Sequence, residues 1–223
     1  MSGVVDLHCH TYHSDGVVGP AEFFRRAEVA GLAGVALTDH ADASNIERVI
    51  EALRAACESE RKYGVLACAA GIELTHVRPG EIPVLVKRAR ELGAEFVMVH
   101  GETPAEPVQP GTNRAAIEAC CDYLAHPGAI TPSDAKLAAE RGVILEISGR
   151  RGHNAANDHV ASVAREAGAQ VAYGGDCHEP GDIRTPEGQR EVLAAAGLSG
   201  EEIDAAQAAA RKALFGTGAS HLG

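Results

Sequence analysis

The chain has no tryptophan, and its four Phe and four Tyr make aromatics only 4% of 223 residues. A core built without large rings must be aliphatic, which disfavours an aromatic-rich β-sandwich and suits helices packed closely on a parallel sheet. Positive charge is also short, with 20 Lys and Arg against 31 Asp and Glu and a net charge of −11. Such a balance excludes a general binder of long nucleic acids or of anionic membranes, though not of a small phosphorylated ligand held by a few local arginines. No apolar run approaches the roughly 20 residues of a membrane span, and Met1 to Asp6 shows no basic stretch leading into an apolar one. A cytoplasmic protein without membrane contact is expected. The six cysteines, at 9, 57, 68, 120, 121 and 177, form no Cys-x-x-Cys pair and are expected to be reduced, mostly buried thiols.

What is present is histidine, eleven in all, and its placement follows a repeating pattern. A helical stretch ends near a glycine, a short run of Val, Ile and Ala follows, and the run ends in a residue able to bind metal. Glu22 to Ala30 passes through Gly31 to Val35–His40, and Glu81 to Leu92 passes through Gly93 to Phe96–His100. Gly142 and Gly168 play the same part before Val143–Ile147 and Val171–Tyr173. Glycine after a helix takes the left-handed position that ends it, and short continuous apolar runs suit strands buried on both faces. Seven runs end near His8, His40, Glu73, His100, His126, Ser148 and Asp176, spaced 22 to 33 residues apart, room for one crossover helix each. The expected fold is α/β, a single domain over 1–223 forming a closed (βα)7 barrel, with a final surface helix at about 201–214.

In parallel α/β folds, functional groups gather at the carboxyl ends of the strands. Six of the seven ends carry His, Glu or Asp: Asp6-Leu7-His8-Cys9-His10, Thr38-Asp39-His40, Gly71-Ile72-Glu73, His100, Ala125-His126-Pro127-Gly128 and Gly175-Asp176-Cys177-His178. A lone His-x-His is as well explained by hydrogen-bonded polar residues at a barrel mouth, and a lone Asp-x-His by a turn. Their recurrence at one structural phase is not, because burying so many imidazoles and carboxylates without metal costs several kcal/mol per unpaired group, roughly. With Asp15 from the loop after the first strand, the set holds nine N and O donors. One ion cannot use nine, so two or three divalent ions sharing a carboxylate are expected, and imidazole with carboxylate suits Mn, Zn or Fe.

These motifs, in this order over about four fifths of the chain, resemble the PHP superfamily (polymerase and histidinol phosphatase). The resemblance implies a distorted seven-stranded TIM-like barrel with a trinuclear metal centre that hydrolyses phosphate esters. It further implies that His8, His10, Glu73 and Asp176 hold one ion, Glu73, His100 and His126 a second, and Asp15, His40 and His178 a third. The loop Thr11-Tyr12-His13-Ser14-Asp15-Gly16 offers both His13 and Asp15 for the third site, and its Ser-Asp-Gly turn favours Asp15. The expected reaction is attack of a metal-bridging hydroxide on the phosphorus of a small phosphorylated metabolite, with Asp176 taking or returning a proton. The substrates that fit are phosphomonoesters such as histidinol phosphate, nucleotide phosphates and cyclic phosphodiesters.

The sixth strand end, Glu146-Ile147-Ser148-Gly149-Arg150-Arg151-Gly152-His153, has no evident ligand but an Arg pair, which suggests a phosphate anchor through charge-assisted hydrogen bonds. His76 and His153 are candidate substrate contacts. Asn113 and Arg114 carry less weight, and His159 and His221 read as surface residues. Two other function classes use such parts. An amidohydrolase-type C–N hydrolase also carries His-x-His in a barrel but normally needs a strand-end Lys, which none of the seven runs supplies. A non-catalytic metal-binding PHP module would show lost ligands, and this set is nearly complete. Oligomeric state is not legible.

Overall fold

The computed structural model describes residues 3–216. His221 lies outside them. Seven parallel strands follow one another around a nearly closed barrel: β1 (Val5–Cys9), β2 (Gly34–Leu37), β4 (Ala67–Leu74), β5 (Phe96–His100), β6 (Tyr123–Ala125), β7 (Ile144–Ser148) and β8 (Val171–Gly174). A two-residue strand, β3 (His40–Ala41), pairs with the upper half of β4. The expected second run is thus broken at Thr38 and Asp39, because the buried Asp39 turns into the loop after β1 rather than into the ladder.

The crossover helices are α1 (Pro20–Val29), α2 (Ile46–Tyr63), α3 (Ile82–Glu91), α4 (Thr112–Glu118), α5 (Pro132–Arg141) and α6 (Asn157–Ala167), followed by α7 (Pro186–Ala195) and α8 (Gly200–Gly216). Local chemistry sets their ends. In α5, Thr131 accepts from the Asp134 N–H at 3.1 Å, Pro132 fills the first turn, and Gly142 closes the helix at φ 72°. The core is aliphatic as expected, running between helices and strands. A second cluster fills the barrel interior, where Phe96 and Tyr123 sit with ring centroids 5.9 Å apart.

The seam between β1 and β8 is closed by few bonds. The Cys177 N–H donates to the His8 carbonyl (3.2 Å) and the His10 N–H to the Cys177 carbonyl (2.8 Å). Below them a buried side chain replaces the ladder: Asp6 Oδ1 accepts the N–H groups of Gly175 (2.8 Å) and His8 (3.1 Å). A Cβ at Gly175 would stand 2.3 Å from Asp6 Oδ2, so only glycine lets the carboxylate in. Burial pushes Asp6 up to about 6, against the bonds from Gly175 and His8.

The final helix is where it is expected, exposed along its outer face, but its inner face packs deeper than a helix laid on the barrel wall. Ile203, Ala206, Ala210 and Leu214 are buried, and Ala210 and Leu214 join the interior cluster with Val5, Ala67 and Phe96. Those partners start their strands, so α8 plugs the N-terminal mouth of the barrel. Gly34 makes room for it, since a Cβ there would meet Leu214 Cδ2 at 2.5 Å. With that end sealed, the barrel opens at its C-terminal mouth.

Candidate metal centre

Three groups of donors meet at the C-terminal mouth. His8, His10 and Asp176 form one, Glu73, His100 and His126 a second, and His10, Asp15, His40 and His178 a third, with the donor atoms within each group all inside 4.8 Å of one another. β1 delivers His8 and His10 through an irregularity between Asp6 and Cys9. Glu73, near the end of β4, lies at the centre. Its Oε1 is 3.5 Å from His8 Nε2 and 3.6 Å from His126 Nε2, while Oε2 is 3.7 Å from His10 Nε2 and 2.8 Å from His40 Nδ1. Asp176 Oδ1 completes the inner ring, 3.3 Å from His10 Nε2 and 3.6 Å from His8 Nε2.

The third group depends on the loop after β1. Asp39 accepts from the backbone N–H groups of Thr11 (2.9 Å) and Ser14 (2.9 Å) and from both hydroxyls, which fixes the turn. That turn presents Asp15, with Oδ2 3.1 Å from His178 Nε2 and Oδ1 3.5 Å from His40 Nε2. Asp15 is therefore the residue of this loop that faces the cluster.

Do these residues fit metal ions? His8 Nε2, both ring nitrogens of His10, Glu73 Oε1 and His126 Nδ1 are buried without a hydrogen-bond partner. Orphaned buried polar atoms are costly, and three of these, His8 Nε2, His10 Nε2 and Glu73 Oε1, lie on the inner ring as donors awaiting a common partner. Charge supports the same reading. Burial opposes ionisation of Glu73 and Asp176, but the charge of His8, joined by that of His40 at Glu73 and by a hydrogen bond from His10 at Asp176, holds both carboxyls well below their usual range. Burial together with the charges of His40 and His8 lowers His10 to about 3, against Asp176, so His10 is the neutral imidazole that metals require. Backbone strain falls in the same place: His76, His126 and Asp176 are three of the four non-glycine residues at positive φ among the described residues, at 53°, 27° and 50°.

Two of the most important positions were not singled out in the sequence. Glu146 was read only as part of a strand without a ligand. It is fully buried, and its Oε2 lies 2.7 Å from His8 Nδ1, the contact that orients a metal-binding imidazole. Thr75 does the same for His40, with Oγ1 2.6 Å from Nδ1. The alternation Leu145-Glu146-Ile147 was the available signal, since it puts a carboxylate on the face of β7 opposite its apolar neighbours.

Arg150 stands at the mouth, its Nη1 donating to the Asp176 carbonyl (3.1 Å) and its Nε 3.6 Å from Asp176 Oδ2. Arg151 is exposed and lines, with Arg150, His178 and Arg184, an adjoining cavity of about 500 Å³. Among the described residues neither Arg151 nor Arg184 forms an ion pair. His153 is buried against the cluster, its Nε2 3.7 Å from Asp176 Oδ2, and His76 is exposed at the rim. Asn113 and Arg114 are not site residues. Asn113 ties two loops together by accepting from the Glu102 N–H and donating to the Pro127 carbonyl, and Arg114 pairs with Asp134 at 2.6 Å. His159 sits on α6 beside the Ile130 carbonyl, 2.8 Å away.

A parallel barrel whose strand ends converge on buried imidazoles and carboxylates, with unpaired donor atoms, defines a barrel with a candidate metal centre at its C-terminal mouth. The chain belongs to the PHP domain family, whose model matches residues 6–123. An uncharacterized protein of Methanocaldococcus jannaschii is 44% identical over 201 residues, covering 89% of this chain and 92% of its own. Among solved structures, similar folds occur in a chain of archaeal ribonuclease P with mature tRNA (TM-score 0.72, 17% identity, 96% of this chain and 90% of that one). An amidohydrolase is also similar (0.63, 15%, 97% and 75%), as is a candidate histidinol phosphatase of Listeria monocytogenes (0.57, 10%, 80% and 97%). At these identities the likeness is one of fold.

Proposed function

We propose that the protein is a metal-dependent phosphoesterase acting on a small phosphorylated metabolite. The observation that carries this reading is the set of buried, unpartnered donors at the strand ends with a guanidinium, Arg150, laid against them. His8, His10, Glu73 and Asp176 would hold one divalent ion, Glu73, His100 and His126 a second, and Asp15, His40 and His178 a third, with Mn, Zn or Fe all suited to the donors. Bound there, such ions supply Lewis acidity and lower the pKa of coordinated water toward neutrality.

The chain's own residues do the rest. Glu146 and Thr75 fix the rings of His8 and His40. Arg150 offers its guanidinium to a phosphoryl oxygen, and Arg151 with Arg184 makes the adjoining cavity attractive to anions. Asp176 Oδ2, facing Arg150 Nε and His153 Nε2, is the oxygen placed to take or return a proton. Because its neighbours hold it well below the usual range it is a weak base, so charge stabilisation outweighs it. His76 and His153 reach the same mouth and are further substrate contacts.

A carbon–nitrogen hydrolase is the second reading, favoured only by the fold it shares with an amidohydrolase. The seven main strands carry no Lys at their ends. Turnover of a panel of phosphomonoesters, cyclic phosphodiesters and amides by protein loaded in turn with Mn, Zn and Fe tests the assignment. Hydrolysis of phosphate esters is expected, and turnover of amides alone would overturn it. Protein that holds less than one ion per chain and gains no hydrolysis on adding metal would instead be a binding module.

A further inference from the structure

Glu106 takes part in an arrangement that, apart from His100, uses neither the donor groups nor Arg150. It lies in the segment 101–111 between β5 and α4, Gly-Glu-Thr-Pro-Ala-Glu-Pro-Val-Gln-Pro-Gly, whose three prolines restrict the backbone. The segment is tied down on both sides. Glu102 Oε1 accepts the N–H groups of Gly111 (3.0 Å) and Asn113 (2.9 Å), Thr103 Oγ1 lies 2.7 Å from His153 Nδ1, and Arg78 donates to Gln109 (2.9 Å). From this fixed base the Glu106 carboxylate reaches inward onto three imidazoles. It is 2.8 Å from His76 Nε2, 3.2 Å from His100 Nε2 and 3.5 Å from His153 Nε2.

Those rings come from three different strand ends and converge on one anion. His100 Nδ1 faces the Gly101 carbonyl (3.1 Å) and His153 Nδ1 faces Thr103, so both rings are fixed with Nε2 turned to the same point. His76 is held in the left-handed region at φ 53° to bring its ring there, a strained backbone of the kind kept at functional sites. The anion in place belongs to the chain itself, and its side chain is 38% exposed. Rotating Glu106 toward solvent empties the cradle without moving the proline-bound segment.

We propose that His76 and His153, beside the second donor group to which His100 belongs, form an oxyanion cradle for the substrate's phosphoryl group, and that Glu106 is its internal occupant, displaced when substrate binds. The proposal rests on the phosphoesterase reading and deepens it. A phosphomonoester dianion carries more charge than the carboxylate it replaces, whereas a neutral amide cannot compete, so the same residue filters substrates by charge.

The test uses the full chain loaded with Mn²⁺, titrated calorimetrically with inorganic phosphate, alongside metal analysis. If the carboxylate fills the cradle nine-tenths of the time, Glu106→Gln tightens phosphate binding about tenfold, because the competent fraction divides the apparent Kd. The number of ions per chain stays the same, and His76→Ala weakens phosphate binding. Loss of an ion from Glu106→Gln would make Glu106 a permanent ligand and overturn the proposal, as would unchanged or weaker phosphate binding. An unchanged Kd in His76→Ala would overturn it as well. Tighter phosphate binding without any ester turnover by the wild type would leave the cradle standing and sink the phosphoesterase reading. Turnover with no effect of Glu106→Gln would do the reverse, and phosphate binding by neither protein would sink both.

Discussion

Replacing Glu146 is the sharpest test of how the centre is held. The carboxylate lies 2.7 Å from His8 Nδ1, both side chains are fully buried, and its other oxygen has no partner, so orienting His8 is its main visible task. Carboxylates behind metal-bound histidines fix the tautomer and raise the basicity of the ring, and losing one typically costs about 10- to 100-fold in metal affinity, or roughly 1.4 to 2.8 kcal/mol. In Glu146→Ala the imidazole also loses its only Nδ1 partner, leaving a buried polar atom that costs about 1–3 kcal/mol, so the larger figure is expected. Glu146→Gln keeps an oxygen for the Nδ1–H and loses only the charge, so about tenfold is expected there. Competition with a chelator of known affinity gives the metal Kd, and metal analysis shows whether one ion is lost while the others stay. A second perturbation reaches the same contact from the backbone. A Cβ at Gly174 would stand 2.5 Å from Glu146 Oε2, so Gly174→Ala displaces the carboxylate and should weaken metal binding in parallel. If Glu146→Ala binds its first ion as tightly as the wild type, the orienting role assigned to the His8 contact is wrong.

The remaining predictions concern other parts of the structure. Asp39→Ala removes the acceptor that shapes the Thr11–Ser14 turn, so Asp15 loses its position; metal analysis should show one ion lost and the other groups still filled. Leu214→Ala opens the plugged end of the barrel and should destabilise by about 2–5 kcal/mol in a denaturant titration, with metal content unchanged. Stripping the ions with a chelator should lower the melting temperature reversibly, since ligands at 100 times their Kd stabilise by about 2.7 kcal/mol. Acid should release the metal as protons compete for the imidazoles, above all His8 and His40, which nearby carboxylates favour in the charged form against the effect of burial, and a metal-sensitive dye would report it. Retention of all ions down to pH 4 would contradict an imidazole-based centre.

Much of this architecture was legible along the chain because it is local. Seven apolar runs at crossover spacing, with helix-ending glycines such as Gly142 and Gly168, specify parallel strands and their order. Residues at strand ends must then share one face, which collects His8, His10, Glu73, His100 and His126 before any contact is known. The misreadings are all contacts between distant segments. Asn113 and Arg114 look like loop polar groups available to a ligand, yet each is consumed by a partner 14 to 20 residues away. The Ala-rich final helix has weak amphipathic character, and only the open lower mouth of the barrel makes its Ala210 and Leu214 face a core.

The sequence by itself determined the class of fold, the side of the barrel that carries chemistry and the donor types gathered there, because backbone periodicity and strand direction follow from neighbouring residues. The family resemblance already implied how the donors divide into groups, but only the tertiary structure puts His10 beside Asp15, His40 and His178, sets Glu146 behind His8, and lays Glu106 against His76, His100 and His153. Those facts depend on distances between side chains up to 168 residues apart in sequence, as His8 and Asp176 are, which barrel closure sets and local pattern does not encode.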